Sequence, residues 1–332
     1  MLSKKNIMEV SADPTQFLKT IEWEMMDKKK FFPLSMLSSF CVRCSLYPLT
    51  LIKTRLQIQK HGQMYKGLID AASKIYETEG VGGLYRGFWV SSVQIISGVL
   101  YIATYEGARH ILSQYNASSS VKSLVGGGMA SLVGQTIIVP FDIISQHLMV
   151  LGVGNVTLEK IKDRKLMNPL GIQFDSSKSK LHLTLDIAQV IYKTDGFRGF
   201  YRGYLASLCT YVPNSALWWA FYHIYQDELE KHLPQGVSHL LIQCVAGTLG
   251  GFTTTMITNP MDTIRARLQV QRTNTMLKTF QILWEEDGIR MVSKGLSARL
   301  IQSVCFSFSI ILGYETIKRF SVRQEYKEMV RW

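Results

Sequence analysis

The sequence predicts an all-α membrane protein: six transmembrane helices in three pseudo-threefold repeats, each repeat with a short amphipathic helix. Three observations lead there. Hydrophobic residues make up 47% of the 332 and charged residues only 19%, with a mean hydropathy of +0.08. The charges cluster between long apolar runs, as in a bundle that also lines something polar. A proline recurs late in three of those runs, in YPLTLIKTR, VPFDIISQH and NPMDTIRAR, at Pro48, Pro140 and Pro260. A second landmark follows each proline: EGVGGLYRG, DGFRGFYRG and DGIRMVSKG, ending at Gly87, Gly203 and Gly295. Matched landmarks at fixed order mark internal repeats.

The elements follow in order. Residues 1–30 read as a polar N-terminal segment. Repeat 1 covers 31–120, repeat 2 covers 121–236 and repeat 3 covers 237–320, with a tail at 321–332. Within each repeat an apolar helix comes first, over about 31–57, 121–148 and 238–269. A short amphipathic segment then leads into the glycine landmark. In the first of these Leu68, Ala71, Ala72, Ile75 and Tyr76 recur at helical spacing. A second apolar helix follows, over about 88–110, 204–229 and 296–320. Each run is long enough for a hydrocarbon core of about 30 Å. Repeat 2 is longer, and the polar stretch 152–180 reads as a loop insertion. Six spans place both termini on one side.

Several classes are excluded or disfavoured. The net charge of +12 comes from Lys and Arg at the ends of apolar runs, without a basic stripe interleaved with aromatics. That pattern suits anionic lipid or a pore for anions, not nucleic acid. Cys41 and Cys44 form an isolated CxxC inside an apolar run, so no metal site is expected. No cofactor fingerprint, EF-hand or nucleophile motif appears, so no catalytic site is expected. The first 27 residues lack a secretory signal pattern and are not Arg-rich.

The three motifs, Pro-x-acid-x-x-base-x-base and then acid-Gly-x4-aromatic-base-Gly, resemble those of the mitochondrial carrier family over about residues 30–320. The resemblance implies a multi-pass protein of the inner mitochondrial membrane, acting as a monomer by alternating access on a small-molecule substrate. Interior prolines kink helices. Three kinks at one depth would draw the lower ends of the odd-numbered helices together and close a cavity on the matrix side. In the family, the acid of each odd helix pairs with the base of the next around the ring. Carried over, Asp142 pairs with Arg265, and Asp262 with Lys53. The remaining link joins Thr50 and Ser145, neutral on both sides. On the opposite, cytoplasmic side, the even helices carry Glu106 and Arg109, and Glu315 and Lys318. Repeat 2 has His223 and Gln226 instead, so one ion pair is expected there, Glu106–Lys318 or Arg109–Glu315.

Two turns above the acid positions lie Arg43, Gln135 and Thr255, polar residues within apolar runs. An arginine at mid-span is costly and points to function, here a carboxylate. The family resemblance adds Gln94, Thr210, Tyr211 and Gln302 as substrate contacts. One cation among amides, hydroxyls and an aromatic suits a small solute with one carboxylate. Arg299 stands open between a further cavity cation and a structural tie. Trp218 and Trp219 read as packing residues. Taken with YVPNSALWW, the motifs resemble the carrier subgroup implicated in branched-chain amino acid import. A neutral amino acid is the leading substrate; another monocarboxylate or keto acid, an anion or proton leak, and a non-transporting scaffold are the alternatives. The landmark pairs Arg86–Gly87, Arg202–Gly203 and Lys294–Gly295 open even helices whose free amides suit a phosphate, and the family implies cardiolipin. Gly126, Gly127, Gly128, Gly134, Gly247 and Gly251 are expected to let helices approach closely.

Overall fold

The computed structural model describes residues 25–60, 64–114, 119–151, 170–172, 179–234, 237 and 239–324. Most of the 152–180 insertion lies outside them. Ten α-helices are found among the described residues. Repeat 1 has α1 (Lys28–Ile58), α2 (Leu68–Leu84), α3 (Phe88–Ser91) and α4 (Val93–Gln114). Repeat 2 has α5 (Ser119–Leu151), α6 (Lys180–Asp195) and α7 (Tyr204–His232). Repeat 3 has α8 (His239–Gln271), α9 (Met276–Asp287) and α10 (Leu296–Phe320). The second span of repeat 1 is thus α3 and α4, broken only at Ser92. Five helical stretches are long and apolar enough to cross a membrane. The sixth long helix, α7, has 29 residues. Its tyrosines, tryptophans, Asn214 and acidic last turns lower its hydropathy, but its length of about 43 Å is ample.

The long helices form a ring. α4 packs along α5, α5 along α7, α7 along α8, α8 along α10 and α10 along α1; α1 meets α4 to close it. The odd helices α1, α5 and α8 also touch one another, as kinked ends drawn together require. Pro48, Pro140 and Pro260 all lie inside them. Pro48 cannot donate to the carbonyl of Cys44, and Tyr85 Oη takes that carbonyl instead at 3.1 Å. Large apolar side chains such as Ile96, Leu132, Phe252 and Phe306 stay exposed along the long helices, as lipid-facing surface does. At the far end of the ring Met26 and Val322 pair as an antiparallel bridge, with Asp27 N donating to Ser321 O at 2.7 Å. The bridge ties the first helix to the last.

The amphipathic helices have local causes. Ser179 and Thr275 accept backbone bonds from His182 and Lys278 at the starts of α6 and α9. The first landmark glycine, at Gly80, Gly196 and Gly288, has φ of 65°, 64° and 54°. There the helix ends or kinks, because an L side chain resists that conformation. The second, at Gly87, Gly203 and Gly295, has φ of 82°, 75° and 66° and starts the next span. It also lies against a facing odd helix: a Cβ on Gly87 would come within 3.0 Å of Ser145 O, and one on Gly295 within 3.3 Å of Lys53 O. Spacing two glycines seven residues apart thus fixes both the exit from the amphipathic helix and the docking of the next span. Among the other glycines, Gly247 and Gly251 press on Ile311 and Ser307 of α10, whereas Gly128 faces open space and Gly134 only grazes Tyr101.

Candidate functional site: a two-tier polar ring at the proline end

Below the prolines the odd helices carry an upper tier of polar contacts across the seams between repeats. Lys53 Nζ meets Asp262 Oδ2 at 2.5 Å, across the seam of repeats 3 and 1. Arg265 Nη2 meets Asp142 Oδ2 at 2.8 Å, across the seam of repeats 2 and 3. Both acids are buried, at 6% exposure for Asp142 and 4% for Asp262, so each depends on its partners. The seam of repeats 1 and 2 differs from expectation. Thr50 and Ser145 do not bond each other. Thr50 Oγ1 accepts from Gln302 Nε2 at 2.8 Å, and Ser145 Oγ donates to Gly87 O at 3.2 Å. Two short hydroxyl side chains take nearer partners instead of spanning the gap.

Asp262 gathers several further partners in this tier. Gln57 Nε2 donates to it at 3.0 Å, and the guanidiniums of Arg265 and Arg299 lie 3.6 Å away. Arg299 also donates to Thr258 Oγ1 at 2.9 Å and reaches Asn214 Oδ1 at 3.4 Å. It thus joins α10 to α7 and α8. Gln94 donates a short bond to Asp142. Gln94 and Gln302, expected among the substrate contacts, are thereby drawn into the ion-pair layer. The position on the even helix puts them level with the acids rather than above them. Tyr211 lies under the Arg265 guanidinium, 4.5 Å from carbon to ring centroid. Thr210 is buried and donates to Ala206 O at 2.8 Å.

A lower tier sits one turn further on. Seven residues after the proline, repeats 1 and 3 place Arg55 and Arg267, both fully buried. Arg55 grips Glu79 through two bonds of 2.6 and 3.0 Å and donates to Met149 O at 2.8 Å, on α5. Arg267 meets Glu286 at 2.6 Å and donates to Gln59 O at 2.9 Å, just past α1. Each arginine thus ties its own amphipathic helix to the end of the next odd helix. The sequence reading missed this tier, although the second base of the Pro motif was visible in it. The landmark bases belong here too: Arg86 meets Glu79 at 3.0 Å, Arg202 meets Asp195 at 3.2 Å and Lys294 meets Asp287 at 2.5 Å. Their charges are engaged by these acids. Burial lowers the Lys294 pKa, as do the nearby Arg267 charge; Asp287 opposes this.

Above the ion pairs, Gln135 and Thr255 are buried and Arg43 is half-buried. Arg43 Nε and Gln135 Oε1 are buried polar atoms without a hydrogen-bond partner among the described residues. Such atoms are costly unless something else meets them. Trp218 stacks on Tyr222 with centroids 5.4 Å apart and donates to Ser307 at 3.3 Å, a packing role as expected. At the other end of the ring, the side chains of Glu106, Arg109 and Glu315 lie outside the described residues. Gln226 there donates to Glu230 in its own helix at 3.0 Å, and His223 packs edge-on against Tyr222. Lys318 lies in the last turn of α10. The five cysteines are free, and no metal-binding cluster occurs among the described residues.

A ring of long helices in three repeats, closed at one end by ion pairs between kinked helices and carrying unpaired polar atoms above them, defines a membrane transporter. The Mitochondrial carrier protein family model matches residues 31–116, 116–233 and 236–325, and the chain belongs to that family. It is a multi-pass protein of the inner mitochondrial membrane. The chain is 44% identical over 319 residues to human "Solute carrier family 25 member 44", covering 95% of this chain and 98% of the relative. The mouse protein of that name is 44% identical over 315 residues, with the same coverage. "Mitochondrial substrate carrier family protein J" of Dictyostelium discoideum is 26% identical over 367 residues, covering 97% and 100%.

Proposed function

We propose that this carrier moves a small neutral amino acid, with a branched aliphatic side chain, by alternating access. The observation that carries the reading is Arg43 with its unpartnered Nε above the matrix-side ion pairs. A guanidinium held there would bind a carboxylate. Gln135 sharpens the class, because its unpartnered Oε1 would accept from an ammonium group. An amino acid supplies both the carboxylate and the donor, whereas an α-keto acid supplies only the first. Thr255, Thr210 and Tyr211 complete a polar wall at and just above the ion pairs. The branched side chain rests on the resemblance of YPLTLIKTR, VPFDIISQH and YVPNSALWW to the carrier subgroup implicated in branched-chain amino acid import.

The matrix gate comprises Lys53–Asp262, Asp142–Arg265 and the neutral positions Thr50 and Ser145. On the other side Glu106, Arg109, Glu315 and Lys318 would form the cytoplasmic gate, with His223 and Gln226 as its neutral part. Cardiolipin is the proposed lipid partner. A groove of about 470 Å³ between Gly67 and Gly295 offers two helix N-termini for a phosphate, with Lys66 and Arg290 in its wall beside Glu286 and the Asp287–Lys294 pair.

Uptake by the purified protein in liposomes tests the reading, with labelled leucine, valine and their α-keto acids. Saturable uptake of the amino acids is expected, with Arg43→Ala losing at least tenfold of it. Gln135→Leu should narrow the preference for amino acid over keto acid. Normal uptake by Arg43→Ala would remove that residue as the carboxylate clamp, and no saturable uptake of any of these solutes would sink the transport reading for this class.

A further inference from the structure

Repeat 2 departs from its neighbours at two lower-tier positions. Where repeats 1 and 3 carry Arg55 and Arg267, it has His147. Where Tyr47 and Asn259 precede the proline, it has Val139. Those two residues hold the landmark carbonyl: Tyr47 Oη donates to Arg86 O at 2.6 Å, and Asn259 Nδ2 to Lys294 O at 3.2 Å. Val139 has no donor to offer, and buried His147 makes no ion pair among the described residues. By the pattern of the other two seams, the seam of repeats 2 and 3 should therefore lack its lower-tier clamp.

It has one, built from different residues. Arg272, just past the end of α8, forms a short ion pair with Asp195, the landmark acid of repeat 2. Arg202 meets the same acid at 3.2 Å, and its Nη1 donates a short bond to Arg272 O. The two functions of Arg55, holding the repeat's own acid and gripping the end of the next odd helix, are thus both met. They come from Arg202 on one side of the seam and Arg272 on the other. Among the described residues Arg272 is also the one non-glycine with positive φ, at 60°. A glycine would adopt that backbone freely. An arginine held there points to use of its charge.

We infer that Arg272 is a positioning residue of the matrix gate: from repeat 3 it supplies, across the seam, the guanidinium that repeat 2 lacks at His147. The clamp holds the end of α6 in repeat 2 against the end of α8, beneath the Asp142–Arg265 pair, and opening on that side parts Arg272 from Asp195. The inference rests on ion pairs and repeat register and does not depend on which solute is carried.

The test needs no substrate. Thermal unfolding of the purified full chain is compared for Arg272→Gln, Arg272→Gly, His147→Arg and the double variant His147→Arg/Arg272→Gln. Arg272→Gln should lower the transition by about 3 °C or more. Arg272→Gly should lose a similar amount although its backbone is relieved. Returning an arginine to the position used by repeats 1 and 3 should recover at least half the loss in the double variant. A merely local packing role for Arg272 would give no such recovery from another helix. His147→Arg alone should bring no gain, because Asp195 already holds two guanidiniums. Arg272→Gly as stable as the parent, or no recovery in the double variant, would overturn the inference.

Discussion

The seam of repeats 3 and 1 and the seam of repeats 1 and 2 are built on the same frame but close differently. The first carries charge in both tiers, Lys53–Asp262 above and Arg267–Glu286 below. The second carries an ion pair only below, through Arg55 and Glu79; above, Thr50 and Ser145 turn away from each other and the neutral Gln94 donates to Asp142 across the seam. The closure at the proline end is therefore lopsided. Under the proposed alternating access these contacts break in every cycle, so strength at each seam sets how readily that end opens. Without an ion pair in its upper tier, the seam of repeats 1 and 2 is expected to be the easiest to part.

The comparison is broken most severely at Asp262. Asp262→Asn would leave Lys53, Arg265 and Arg299 around a neutral amide, and the loss is expected at about 3–5 kcal/mol. Thermal unfolding should fall steeply and liposome uptake should disappear; a near-native transition would show that the 3/1 seam does not depend on this acid. Arg55→Gln comes next, at about 3 kcal/mol, since Arg86 remains beside Glu79. It should cost more than the same change at Arg86, because Arg55 holds Glu79 through two bonds and also donates to Met149 O on α5. Equal losses from the two variants would remove the cross-seam bond to Met149 as the reason. Ser145→Ala should be mildest, at about 1 kcal/mol, for one hydrogen bond to Gly87 O across the 1/2 seam. A loss as large as that of Asp262→Asn would mean the 1/2 seam is not the weak one.

Much of this was legible in the sequence, and for physical reasons. Proline and glycine have few backbone options, so their repeated positions marked the kinks and the helix starts; α1, α5, α7, α8 and α10 begin and end within a few residues of expectation. The partners of Asp142 and Asp262 followed from the ring order implied by the family resemblance. Amides were less legible. Gln94, Gln302 and Gln57 are long and neutral, and which acid or hydroxyl each meets depends on helix rotation that no spacing rule fixes. Arg299 was ambiguous for the same reason. The Arg272–Asp195 contact joins residues far apart in the chain, and Arg272 lies outside every repeated motif. Crowding at Asp262 has a practical consequence. A simple exchange of Lys53 and Asp262 would place a lysine beside Arg265 and Arg299, so this charge swap is expected not to restore function.

The most direct measurement installs the missing upper pair: Thr50→Asp and Ser145→Lys, singly and together, compared by thermal unfolding and by the rate of leucine uptake in liposomes. Each single variant buries a charge without its partner and should be less stable than the parent. The double variant should exceed the sum of the singles by about 1–3 kcal/mol, with slower uptake because the matrix side opens less readily. Additive losses, or a double variant that transports as fast as the parent despite a gain in stability, would contradict a closure whose weak point is the neutral seam of repeats 1 and 2.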